Sequence, residues 1–249
     1  MSGKIAKPVF LLLAALVVFV SPLHAATARW WLHKRLAIII DDMGYDKPLA
    51  YRFASLDLPL AFSFLPDAPY SEELARYMGV RGYAVMIHMP SEPLDYPKDN
   101  PGKNAIYVST SKRRTLQLLA RAYKRIPWAV GLNNHMGSRI LKDKRHLDYI
   151  MEFLRSKHMF FIDSATVEGS LGCKEAHRYR VLCARRRVFL DNIKNVAYIK
   201  NQIKHALALL KKYDDVVAIG HCDTATYEAL REMRPILKRY MIGVEYIVK

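Results

Sequence analysis

Short apolar runs, each stopped by a polar or charged residue, recur along the chain and alternate with stretches whose apolar residues fall at helical spacing. Leu36 to Asp41 (LAIIID) is continuous, β-branched and ended by charge, the pattern of a strand buried on both faces. Runs of the same kind predict further strands at Leu60 to Leu65, Tyr83 to His88, Ala129 to Asn133, Met159 to Asp163, Val188 to Asp191, Val216 to Gly220 and Val244 to Val248. Between them, Leu147, Ile150, Met151 and Leu154, and later Val196, Ile199, Ile203, Ala206, Leu207 and Leu210, mark helix faces suited to covering a sheet. Alternation repeated about seven times calls for mostly parallel strands with helical crossovers: an α/β barrel, closed or nearly so, or failing that a doubly wound open sheet. One irregular stretch, 89–109, holds Pro90, Pro93, Pro97, Pro101 and Gly102, and loops of that length are commonly functional.

Residues 1–28 break this pattern. Lys4 and Lys7 precede an apolar stretch, Val9 to Val20, followed by Ser21, Pro22 and small residues through Ala28, the order of a secretory signal. The stretch is shorter than the roughly 20 residues a membrane span prefers, so a cleaved signal is expected and an uncleaved anchor is the alternative. Either places the body of the protein outside the cytoplasm, in the periplasm or cell envelope. No linker or repeat divides residues 34–249, which predicts one domain. A chain that is 51% hydrophobic and 25% charged is an ordinary globular one. Its formal net charge is +16, and loss of Lys4 and Lys7 would leave +14. The densest basic run, Lys174 to Arg187, predicts attraction to anionic envelope polymers or a membrane surface, with a merely solvated basic face as the alternative. Export and the lack of a recognition motif disfavour nucleic acid. Of three cysteines, Cys173 and Cys183 could close a short loop and leave Cys222 odd; three buried thiols fit equally well.

The residues able to do chemistry stand where the apolar runs stop. Asp41 and Asp42 end the first; His88, then Glu92, the third; Asn133, Asn134 and His135 the fourth; Asp163 the fifth; Asp191 the sixth; His221 the seventh. In a parallel barrel these ends share one rim, where such folds build active sites. Taken singly, each is more often a helix cap or a satisfied buried group; their coincidence favours a site. Two adjacent acids after a buried strand resist ionising together unless paired or metal-bound. A divalent cation held by one carboxylate and imidazoles relieves that cost and leaves the other carboxylate free as a base.

The segments IDDMGYD, IHMPSEP, GLNNHMGSR, FIDSAT, VFLDN and IGH, in this order, resemble the divergent polysaccharide deacetylases, relatives of the NodB-type carbohydrate esterases. The resemblance covers Lys34 to Lys249. It implies a distorted (β/α) barrel and a metal-dependent hydrolase that removes acetyl groups from a polysaccharide, with zinc the expected ion. It assigns Asp41 as catalytic base, Asp42 and His88 as metal ligands and His221 as the late catalytic histidine. Glu92 stands where the NodB pattern has a second histidine, so His135 is the expected replacement ligand and Glu92 a further ligand or a neighbour of one. Asp163 and Asp191 are expected to orient imidazoles, reach the metal or meet sugar hydroxyls. Asn134, Ser138 and Arg139 are expected to bind substrate, and Tyr70, Tyr96 and Tyr107 to stack on sugar rings or simply to pack. The alternative function is an inactive barrel serving as a polysaccharide-binding or envelope scaffold.

Overall fold

In the computed structural model, which describes residues 34–249, seven parallel strands pair in sequence order and the last closes on the first. They are β1 (Arg35–Met43), β2 (Ala61–Phe64), β3 (Ala84–Ser91), β4 (Gly131–Met136), β5 (Phe160–Asp163), β6 (Cys183–Phe189) and β7 (Asp215–His221). Helices α1 (Lys47–Ala54), α2 (Ser71–Val80), α3 (Lys112–Arg125), α4 (Lys144–Ser156), α5 (Gly172–Arg178), α6 (Val196–Leu209) and α7 (Thr224–Leu237) follow the strands in turn. This is the closed barrel that the alternation predicts. The export signal expected within residues 1–28 lies outside the described residues.

Strand alternation sorts the core into two layers. Leu36, Ile38, Ile40, Val85, Ile87, Leu132 and Phe161 belong to the cluster shared with the helices. Ala37, Ile39, Ala61, Ala84, Met86, Phe160, Ile162, Val217 and Ile219 form a second cluster inside the barrel. Gly131 belongs to this inner layer: a Cβ there would lie 2.2 Å from the Phe160 ring, which occupies the space that the glycine vacates. Continuing each inward stripe by one or two strand repeats reaches Asp41, Ser63, His88 and Asn133, all buried. The interior is therefore apolar toward the strand starts and polar toward the strand ends.

Two strand expectations are corrected. Val244 to Val248 is no eighth strand but contains a 3-10 turn, Val244–Tyr246, and its β-branched residues plug the foot of the barrel. There Lys249 exchanges backbone hydrogen bonds with Cys183. The sixth strand starts at Cys183 rather than Val188, because its outward residues Arg185 and Arg187 are exposed and the run is not continuously apolar. Cys173 and Cys183 form a disulfide that ties α5 to β6, with Cα atoms 5.5 Å apart, and Cys222 is free.

Candidate metal centre and catalytic rim

The closing seam sets the first candidate pair. Asp41 faces inward on β1 and is registered beside His221 of β7. Strict alternation would send Asp42 outward. Instead, β1 loses register against β2 between Ile40 and Met43, and Asp42 takes a left-handed φ of 56°. Such irregularities re-aim side chains, and a non-glycine residue held in this region costs about 1 kcal/mol or more.

The result is convergence. Asp42 Oδ1 lies 3.3 Å from His88 Nε2 and 3.0 Å from His135 Nδ1, and the two imidazole nitrogens are 3.2 Å apart. Neither imidazole offers Oδ1 a properly aligned hydrogen bond, so this oxygen is buried without a partner. Burial disfavours the Asp42 carboxylate, but the two imidazoles outweigh it and hold its pKa well below the usual range. Burial likewise opposes protonation of His88, while Asp41 and Asp42 raise its basicity. One carboxylate oxygen buried without a hydrogen bond and two imidazole nitrogens that hydrogen-bond only each other, all within 4.8 Å, are a donor set suited to a divalent cation.

Asn133 joins this cluster to Asp41. Its Nδ2 donates to both Asp41 oxygens at 2.9 and 3.0 Å, while Oδ1 accepts from Ser63 Oγ at 2.6 Å and pairs with His88 Nδ1 at 2.9 Å. The carboxylate fixes which end of the amide faces it. His88 Nδ1 must then be the donor, which leaves the Nε2 lone pair facing Asp42 and His135. Asn133 is fully buried; the sequence places it at the end of the fourth run but assigns it no role, and its position two residues before His135, on the same face of β4, is the signal for one.

His221 is held by Asp191, which accepts from His221 Nδ1 at 2.9 Å, from its backbone N–H at 2.6 Å and from Thr226 Oγ1 at 2.7 Å. Burial lowers the imidazole pKa, but the Asp191 hydrogen bond and charge, helped by Asp41 and Asp42, raise it to about 9. The ring stacks on Phe189, centroids 5.7 Å apart, and the Arg186 guanidinium lies 4.0 Å from the centroid of the same ring.

Other expected site residues have different occupations. Glu92 Oε2 accepts from Val108 N at 2.7 Å and Oε1 lies 3.2 Å from Arg139 Nε, so Glu92 pins the long loop after β3 and stands outside the ligand cluster. Asp163 accepts from Ala165 N and Ser170 Oγ, both at 2.8 Å, and orients its own turn rather than an imidazole. Of Asp163 and Asp191, only Asp191 holds a histidine, and that histidine is His221 rather than one of the cluster. Asn134 bonds Met136 O and Ser164 N, Ser138 Oγ accepts from Leu94 N, and Arg139 donates to Leu94 O. These three brace the rim loops. Tyr96 and Tyr107 pack on each other at 5.0 Å, and Tyr70 is partly exposed beneath Lys47.

The comparisons with known proteins agree with this barrel. The family described as divergent polysaccharide deacetylase matches residues 38–247. An uncharacterized protein of Escherichia coli K12, YibQ, is 31% identical over 220 residues, covering 88% of this chain, which in turn spans 66% of that relative. Among solved structures, an uncharacterized protein from Agrobacterium tumefaciens C58 superposes with a TM-score of 0.81 at 19% identity, over 87% of this chain and 89% of its own. The catalytic domain of a peptidoglycan N-acetylglucosamine deacetylase from Eubacterium rectale gives 0.53 at 12%, over 85% and 88%. A CE4-family pseudoenzyme from Bacillus anthracis gives 0.55 at 11%, over 86% and 65%, so the fold alone does not confer activity. With 38–247 accounted for by one family, the chain belongs to the divergent polysaccharide deacetylases.

Proposed function

We propose that this protein is an exported, metal-dependent hydrolase that removes acetyl groups from an envelope or extracellular polysaccharide. The carrying observation is the convergence of Asp42 Oδ1, His88 Nε2 and His135 Nδ1 beside a buried carboxylate and an acid-paired imidazole. Export is supported by the N-terminal pattern of charge, apolar stretch and small residues. An N-acetylated sugar polymer is favoured by the fold shared with a peptidoglycan N-acetylglucosamine deacetylase.

Asp42, His88 and His135 would hold a divalent ion, zinc being suited to such a set, and when bound it supplies Lewis acidity toward an acyl carbonyl and lowers the pKa of a water. Asp41 takes the proton of the attacking water. Burial raises its pKa against the charges of His88 and His221, which makes it a stronger base than an exposed carboxylate. His221 gives its proton to the departing amine nitrogen. The two groups are tuned in the way that separates a base from an acid, one through burial and the other through Asp191.

The test is metal analysis of the purified protein after dialysis with zinc, nickel, cobalt or manganese, paired with acetate release from chitin oligomers and peptidoglycan. One ion per chain and a release that chelator abolishes are expected. Stoichiometric retention of none of the four would overturn the hydrolase reading in favour of a scaffold.

A pH dependence follows for the acid. Because the His221 pKa is raised to about 9, its protonated form persists through neutrality and is lost only as pH rises through that value. Asp191→Asn removes the charge that holds it there. The alkaline limb of kcat should then move down toward the imidazole's ordinary value of about 6.5. An unmoved limb in the pH–rate profile would show that His221 is not the acid.

A further inference from the structure

We propose that the foot of the barrel, opposite the catalytic rim, docks on an anionic phospholipid surface. Parallel strands bring every loop that leads into a strand to this end. The loops entering β5 and β6 carry His158 and Arg180; with Arg155 from the last turn of α4 they line a cleft of about 380 Å³ whose apolar wall is Met159, Phe160, Val181 and Leu182. A second cleft, about 270 Å³, is lined by Arg185, Arg187, Tyr213 and Lys249 together with Asp214 and Asp215. The basic run of the sequence divides here: Arg178 pairs with Asp148 and Glu175 and Arg186 turns inward to Ser164 O and Ala165 O, while Arg180, Arg185 and Arg187 face out.

The acids at this end are largely engaged. Asp214 pairs with Lys34, Asp215 with Arg35 and Lys249, and Asp57 with Arg234 and Lys238. Against an exposed Glu245, the exposed cations Arg155, Arg180 and Lys212 have no carboxylate partner among the described residues. Apolar side chains are exposed at the same end: Leu182 at 54% in the cleft with Arg155 and Arg180, Val130 at 45% in the loop entering β4, and Val80 at 72% at the end of α2, where Trp128 lies beside Gly79. Unpaired cations interspersed with exposed aliphatic and indole groups fit an interface where phosphates meet the cations and the boundary region takes up the apolar groups. A soluble polyanion would satisfy the cations and leave Leu182, Val130 and Val80 in water, which is why a lipid surface is the better match. Docked this way, the rim with Asp41 and His221 faces away from the lipid.

The experiment is co-sedimentation of the full chain with vesicles of phosphatidylglycerol and phosphatidylcholine, and of phosphatidylcholine alone, at low and high salt. The wild type is compared with Arg155→Glu/Arg180→Glu/Lys212→Glu. Both proteins carry the same N-terminal residues, so the difference reports the foot. Each cation near an anionic surface contributes roughly fivefold, so the triple variant should bind anionic vesicles at least about 100-fold more weakly. Wild-type binding should weaken with salt. Leu182→Ser should lower the residual binding at high salt. Equal binding by wild type and triple variant, or equal wild-type binding to both vesicle types, would overturn the proposal. So would complete competition by inorganic phosphate at matched ionic strength, which would assign the clefts to a free anion. None of these residues touches the rim, so unchanged acetate release by the variants separates this proposal from that of hydrolysis.

Discussion

Asp41→Asn should retain a full complement of metal and lose turnover by roughly 10²- to 10⁴-fold, the contribution of a positioned general base. Asp42→Asn should lose metal and turnover together. The two acids are adjacent in sequence, but the backbone irregularity at Asp42 sends one to Asn133 and the other to the imidazoles. An amide at position 41 can still meet Asn133 through its oxygen, so the neighbouring ligands keep their places while the proton acceptor is gone. Asparagine tolerates the left-handed φ of 56° at position 42 about as well as aspartate, so the backbone persists and the loss is one of charge at a ligand. Metal stoichiometry and acetate release measured on the same preparations decide it. Metal loss from Asp41→Asn would mean that the roles of the two carboxylates are misassigned.

Asn133→Leu is expected to be the most damaging single change to the rim that leaves every ligand and acid–base group in place. Leucine is close to isosteric, yet it strands the Asp41 carboxylate, the His88 Nδ1–H and the Ser63 hydroxyl in a buried setting. Each unsatisfied buried group costs about 1–3 kcal/mol, so a loss of about 3 kcal/mol or more in denaturant unfolding is expected. Metal affinity should also fall roughly 10- to 100-fold, because the tautomer of His88 is no longer set. Ser63→Ala should be much milder, since Asn133 Oδ1 keeps His88. A stability loss with unchanged metal affinity would reduce Asn133 to a packing residue.

The barrel was legible because strands buried on both faces are apolar without interruption, and the chain marks each of their ends with charge. Where a strand is exposed outside, as β6 is at Arg185 and Arg187, that signal disappears and the apolar run marks only the strand's end. Val244 to Val248 has strand composition, but seven strands already close the barrel, and burial of its β-branched residues is achieved as a plug. The cluster of Asp42, His88 and His135 was legible because each member ends a run. What each neighbour does was not, because it depends on what stands across the barrel. Asn133 meets Asp41 from 92 residues away, and Glu92 turns to Val108 and Arg139. Nor does the sequence show that Ser138 and Arg139 brace the long loop at Leu94, a contact made 44 and 45 residues apart.

The two-part interior, polar above and apolar below with a plugged foot, makes the barrel a blind well rather than a conduit. Nothing can thread through it, and reactant and product share one mouth. On the proposed deacetylase reading, a polymer would lie across the opening and present one acetyl group at a time toward Asp41 and His221. Acetate and the new amine would then leave by the way the acetyl group entered, and the polymer would have to lift or slide before the next group is presented.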